Sequence, residues 1–167
     1  VFIIGWAEGI TSEMVENATG LVSGQIEIHS SGYRPERSLY ETIGGREGTD
    51  VTRILREVSV DSTVVAVAPR VYAGGLVSSG DATSAGMLMG IDPESELKVS
   101  RFLDDLSEGR LPISGRNELV IGSEMAGQLV VGVGDEVVVM APGADGSMGN
   151  DLFQITGVFR TGLSELD

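Results

Sequence analysis

Cysteine is absent from the 167-residue chain, which excludes a disulfide framework, a thiolate metal site and a cysteine nucleophile. Histidine occurs once, at His29, so metal binding through imidazole would rest on a single ring. Basic residues are few: 11 lysines and arginines face 25 acidic residues, a formal net charge of −14. That balance argues against nucleic-acid backbone and against anionic membrane surfaces as partners. No run approaches the roughly 18 apolar residues of a membrane helix, and no basic, apolar leader is present. Nor does a G-x-x-x-x-G-K-[ST] loop occur, so the chain does not cradle ATP phosphates itself.

What is present suffices for one domain or two small ones with a real core. Apolar positions Trp6, Ile10, Met14 and Ala18 recur at helical spacing, and Gly20 ends that stretch. The first four residues, VFII, read either as a short buried start or as the stub of a membrane helix. Gln25 to Ser30 alternates, with Ile26 and Ile28 on one face, which predicts a half-buried strand. Residues 31–48 carry Gly32, Pro35, Gly44, Gly45 and Gly48 among charges and predict an irregular loop. With Asp50 as a plausible N-cap, Val51, Ile54, Leu55 and Val58 then form a helical stripe. The unbroken apolar run Val64 to Ala68 predicts a strand covered on both faces. Together these segments predict a right-handed βαβ unit with two parallel strands, interrupted at Pro69.

From Val71 to Phe159 glycine-bounded strands dominate: Val71 to Val77, Ser84 to Ile91, Glu118 to Ile121, Glu136 to Met140 and Leu152 to Phe159. Ser79-Gly80-Asp81 is a hairpin turn signal. Arg101 to Leu106 predicts a short helix, and Ser123 would cap another from Glu124 to about Val130. Pro142 to Asn150 predicts a looser hairpin loop. On the last strand Phe153, Ile155 and Phe159 should share one face, with Gln154, Thr156 and Val158 on the other.

Chemically suggestive groups are sparse. His29 stands beside Ser30 and Ser31, but neighbouring strand residues point to opposite faces, which works against a Ser/His pair and leaves a solvated histidine. Asp104 and Asp105 are adjacent, and helix neighbours do not face each other as a glycosidase pair must. Asp145, Asn150 and Asp151 offer oxygen ligands without EF-hand spacing, so a glycine-rich turn is the better reading. Met87, Leu88 and Met89 read as strand core or as an adaptable apolar contact surface. Trp6 fits either core packing or a membrane-interface anchor. No catalytic, metal or cofactor-binding residue is assigned.

Taken in order, SGQIEIH, the helix leading to VVAVAPRV, the hairpin closed by GID (residues 90–92) and the late VGDEVVV resemble the MacB-like periplasmic core domain. That domain is carried by lipoprotein-release and macrolide-exporter type ABC-transporter permeases between their first two membrane helices. The resemblance implies an α+β fold: a porter-like βαβ part (residues 1–70 and 156–167) with a β-rich subdomain (71–155) inserted into it. It favours the membrane-helix stub at VFII, and it implies that the porter-like part is incomplete beyond Thr161 to Asp167.

Functionally, the resemblance implies no enzyme and no cofactor. It implies an extracytoplasmic, periplasmic location, anchored by flanking transmembrane helices. The expected partners are a cytoplasmic ABC ATPase acting through those helices, a second permease copy or paralogue, and a lipoprotein, lipid-like, peptide or drug cargo, with no nucleic acid. The rival expectation is a free-standing β-rich binding or hydrolytic domain. Converging catalytic groups in one pocket would favour it.

Overall fold

In the computed structural model the residues described are 24, 26–33, 42–43, 51–143 and 146–161. The predicted entry helix with Trp6, the cap at Asp50, Asp145 and the stretch from 162 onward lie outside them. Helix α1 spans Val51–Ser59, as its apolar stripe requires, and Arg53 bonds Glu57 one turn on at 2.8 Å.

The fold is α+β and centres on one sheet. Strand β1 (Arg70–Ser79) begins directly after Pro69 and pairs over its whole length with β2 (Ala82–Ile91). Their connection is the predicted glycine turn. Gly80 has φ 55°, the positive value a type II′ turn needs at its first central position. A short helix α2 (Pro93–Glu96) follows, capped by Asp92, which accepts from the Ser95 amide at 3.3 Å.

The segment expected as a helix at 101–106 is a single 3₁₀ turn, Phe102–Asp105, leading straight into β3 (Leu106–Gly109). Then come β4 (Glu118–Gly122), helix α3 (Ser123–Leu129), β5 (Glu136–Pro142) and β6 (Met148–Phe159). Gly122, not Ser123, is the N-cap of α3, and it makes no side-chain cap bond. The 142–150 loop contracts to residues 143–147, because Asn150 already pairs with Met140.

The strand order is β2-β1-β5-β6-β3, with β4 joined to β6 as well. β6 is long enough to serve β5 and β3 antiparallel and β4 parallel. Val77, Ile121, Ala126, Leu129, Val137, Ile155 and Val158 form the core between this sheet and α3. Ile155 is fully buried, a contribution of about 1.5–3 kcal/mol.

Three expectations are corrected. Ile26 and Ile28 are 84% and 52% exposed, and none of the described residues in 25–30 belongs to a strand. Val64 to Ala68 is likewise outside the sheet, with Val65 98% exposed, so the predicted parallel pair is not formed among the described residues. Apolar pattern reports a readiness to be buried, and no described strand pairs with these segments to turn it into a ladder. Thirdly, Val158 joins Ile155 in the core rather than facing away. The register between β4 and β6 slips so that Val120 pairs with Gly157 directly after Leu119 pairs with Ile155. This bulge at Thr156 resets the two-residue period.

Candidate functional site

Of the suggestive groups, His29 stacks on Tyr33 at a centroid separation of 4.0 Å and bonds the Glu27 carboxylate at 3.1 Å on an exposed segment. The Ser30 hydroxyl accepts from the Gly32 amide instead. Asp104 is exposed, and Asp151 accepts from Asn117 Nδ2 at 3.0 Å and from the Leu152 amide. Among the described residues no three acidic or histidine side chains are placed to hold a metal ion.

The three residues 87–89 are divided by the strand pleat. Leu88 packs against the core while Met87, 65% exposed, faces the other way. Across the sheet, Ala85, Leu76, Met140 and Asn150 lie opposite one another in one row, and Thr83, Ser78, Val138 and Leu152 in the next. Leu76 is 40% exposed, Leu152 46% and Met148 68%. The outer face of the sheet is therefore wet and mixed, with Leu76, Met87, Met148 and Leu152 exposed among the polar Ser78, Thr83, Glu136 and Asn150. Such a surface suits apolar partners of varied shape.

On the other side, an open groove of about 500 Å³ runs between the C-terminal end of α3 and the junction of β3 with β6. Ala126 and Val158 form its floor, and Ser107, Glu108 and Arg160 stand on one wall. Its opposite rim is the loop after α3, where Val130 adopts φ 56°, ψ 49° and is 87% exposed. Glycine is the usual residue in that left-handed position, and a β-branched side chain there is strained. Asp135 holds the rim in place by accepting from the Gly132 amide at 2.8 Å. The run VVGVG was the available signal for this rim: it is apolar, yet too rich in glycine for a core strand.

Two carboxylate–guanidinium pairs brace the ends of the sheet. Arg70 donates from Nε to Glu96 Oε2 at 2.9 Å and from Nη2 to Oε1 at 2.5 Å, with Ser100 also donating to Oε1. Burial alone would lower the affinity of Arg70 for its proton, but the bonds to Glu96 and Tyr72 outweigh it and raise the pKa. Arg110 grips Glu118 through both terminal nitrogens at 2.7 and 2.8 Å, and the Ile113 amide donates to the same carboxylate. The Arg110 bond and then the Ile113 bond hold the Glu118 carboxyl down at about 2.

Comparison with known proteins agrees with this geometry. The family described as MacB-like periplasmic core domain matches residues 1–166. The lipoprotein-releasing system transmembrane protein LolC of Xylella fastidiosa is 31% identical over 114 residues, which is 64% of this chain and 27% of that protein. The chain thus spans about a quarter of the length of that curated relative. The extracellular domain of the noncanonic ABC-type transporter YknZ from Gram-positive bacteria shares the fold, with a TM-score of 0.52 at 19% identity, over 66% of this chain and 57% of that one.

Proposed function

The chain belongs to the MacB-like periplasmic core domain family, and from that premise we propose that it is the extracytoplasmic part of a permease that couples cytoplasmic ATP hydrolysis to cargo handling outside the membrane. The observation that carries the reading is the family match along residues 1–166. The work is mechanical rather than catalytic. An ABC ATPase drives the membrane helices of the parent protein, and the movement reaches this domain and changes how it meets its cargo and a second permease copy or paralogue.

The cargo class proposed is amphiphilic: a lipoprotein or a lipid-like molecule, with peptides and drugs as further members. The exposed apolar side chains of Leu76, Met87 and Leu152 on the outer face, set among Ser78, Thr83 and Asn150, support an amphiphile, since acyl chains leave water on the apolar part of such a surface. In this reading residues 1–70 and 156–167 form the porter-like part and 71–155 the β-rich insertion, with β6 running from one into the other.

The test uses the full-length permease and its ATPase in nanodiscs, supplied with a triacylated lipoprotein. Leu76→Glu and Leu152→Glu should lower ATP-dependent lipoprotein release at least tenfold while ATP hydrolysis changes less than twofold. Unchanged release in both variants, with the proteins folded, would overturn the assignment of the outer face to cargo.

A further inference from the structure

β2 stands at one end of the sheet order and β3 at the other. β3 is protected in the ways sheets usually protect an edge: it has four residues, carries the charge of Glu108, and shifts register against β6 between Leu106 and Glu108. β2 has none of these devices. Its ten residues, ATSAGMLMGI, include no charge and no proline, and all of them pair with β1 without a register shift. With a two-residue turn at Gly80 and Asp81, Ser79 and Ala82 form the closing hydrogen-bonded pair, so the even-numbered residues of β2 bond to β1. Thr83, Ala85, Met87, Met89 and Ile91 direct their N–H and C=O groups outward, and among the described residues no strand receives them.

Charge selects the occupant. Asp81 immediately precedes the strand, and Asp92 and Glu94 follow it. Glu96 is neutralised by Arg70, and the stretch 80–98 sets one cation, Lys98, against the other three carboxylates. The edge is thus an uncharged row of hydrogen-bonding groups between acidic ends, in a chain of net charge −14. A second copy is ill suited to it, since antiparallel pairing about Met87 would set Asp81 beside the other copy's Asp92 and Glu94. A segment of opposite charge meets no such repulsion and is drawn in by the field of the whole domain.

We infer that β2 is a docking edge for an extended, basic-ended segment of another protein, which adds to the sheet as a further strand. The segment's backbone bonds to residues 83, 85, 87, 89 and 91, and this ladder supplies the affinity. Its alternate side chains lie beside Thr83, Ala85 and Met87 on the outer face. Its lysines or arginines stand about 36 Å apart, one near Asp81 and one near Asp92 and Glu94. Pro93 lacks an N–H and the turn at Gly80 ends the strand, so the ladder is limited to those five residues. The inference stands apart from the transport reading, because it rests only on the edge of β2 and the charges that flank it.

The probe is a capped peptide of alternating threonine and valine, long enough to span β2, with lysine at both ends; its twin carries glutamate there. By fluorescence anisotropy the chain should bind the lysine-ended peptide at least tenfold more tightly than the twin, and added salt should shrink the difference. Asp81→Asn combined with Glu94→Gln should weaken the lysine-ended peptide at least threefold. In amide exchange followed by NMR, bound peptide should slow Thr83, Ala85, Met87, Met89 and Ile91 and leave the even-numbered amides of β2, already bonded to β1, as they were. Ala85→Pro removes an outward N–H without touching the ladder to β1, and should abolish binding while circular dichroism stays unchanged. Met87→Lys, at an exposed position, should abolish it too. Equal affinity for the two peptides would overturn the basic partner, and binding without protection of the odd-numbered amides would overturn the edge. Odd-numbered amides protected in the chain alone, together with a concentration-dependent dimer, would make a second copy the occupant and overturn the proposal.

Discussion

Arg70 and Glu96 stand 26 residues apart in sequence and close a two-pronged ion pair inside the protein, with side chains 9% and 0% exposed. One belongs to APRV, where the chain enters the sheet. The other lies four residues beyond GID, where it leaves the hairpin. Two motifs that look unrelated in the sequence are thus halves of one clasp, which ties the first residue of β1 to α2.

Breaking that clasp from one side strands a buried charge. Glu96→Ala and Arg70→Met should each cost about 3–5 kcal/mol in urea unfolding, whereas the double change to apolar residues of similar volume, Arg70→Met with Glu96→Leu, should cost well below the sum. A double mutant as damaging as the two singles added together would show that the pair is not coupled.

Glu118 predicts an acid-sensitive contribution. Its carboxyl titrates at about 2 in the folded chain against an ordinary value of 4.5. Folded pKa below unfolded pKa means that stability from this group is complete above about pH 4.5 and lost as the pH falls through about 2. Glu118→Gln should flatten the fall of melting temperature between those pH values. A slope unchanged from that of the parent chain would contradict the assignment.

Two glycines should respond in opposite ways. At Gly109 φ is +79°, and an added Cβ would lie 2.1 Å from the Thr156 carbonyl oxygen, so Gly109→Ala should cost about 1–3 kcal/mol from backbone strain before the clash is counted. At Gly86 the Cβ meets only the flexible end of the Met125 side chain, its methyl and sulfur, which can swing aside. Gly86→Ala should stay within about 1 kcal/mol of the parent. Chemical denaturation of the two variants side by side decides the comparison.

Val130→Gly should leave the fold as stable as before or raise its stability by up to about 1 kcal/mol, since glycine relieves the left-handed strain at the end of α3. A loss of stability would mean that the exposed valine contributes packing that its 87% exposure does not suggest.

Much of the β-rich region was legible in the sequence because its signals are local. The turn at Gly80, the α1 stripe and the strands at 118–121 and 136–140 each depend on residues within one element, and each formed within one to three residues of expectation. The MacB-like fold followed from their order. What could not be read depends on neighbours distant in sequence. Val64 to Ala68 has the composition of a central strand, yet pairing requires a partner ladder, and composition does not supply one. The bulge at Thr156 is set by how β4 meets β6, so the face assigned to Val158 by alternation was wrong. The outer face is half visible in the sequence: Met87 to Met89 stand out as a group, but only the register of β2 on β1, carried on through β5 to β6, shows which of them join Leu76 and Leu152.

The position of β6 has a mechanical consequence. A pull applied at Phe159 along the strand meets the ladders to β3, β4 and β5 in shear, where many hydrogen bonds must yield together instead of one after another. Tension entering there spreads through the sheet before any pair opens, and the core attached to Ile155 and Val158 travels with it. Displacement at one end of this strand is therefore delivered at the other as motion of a stiff plate, with little lost to stretching on the way.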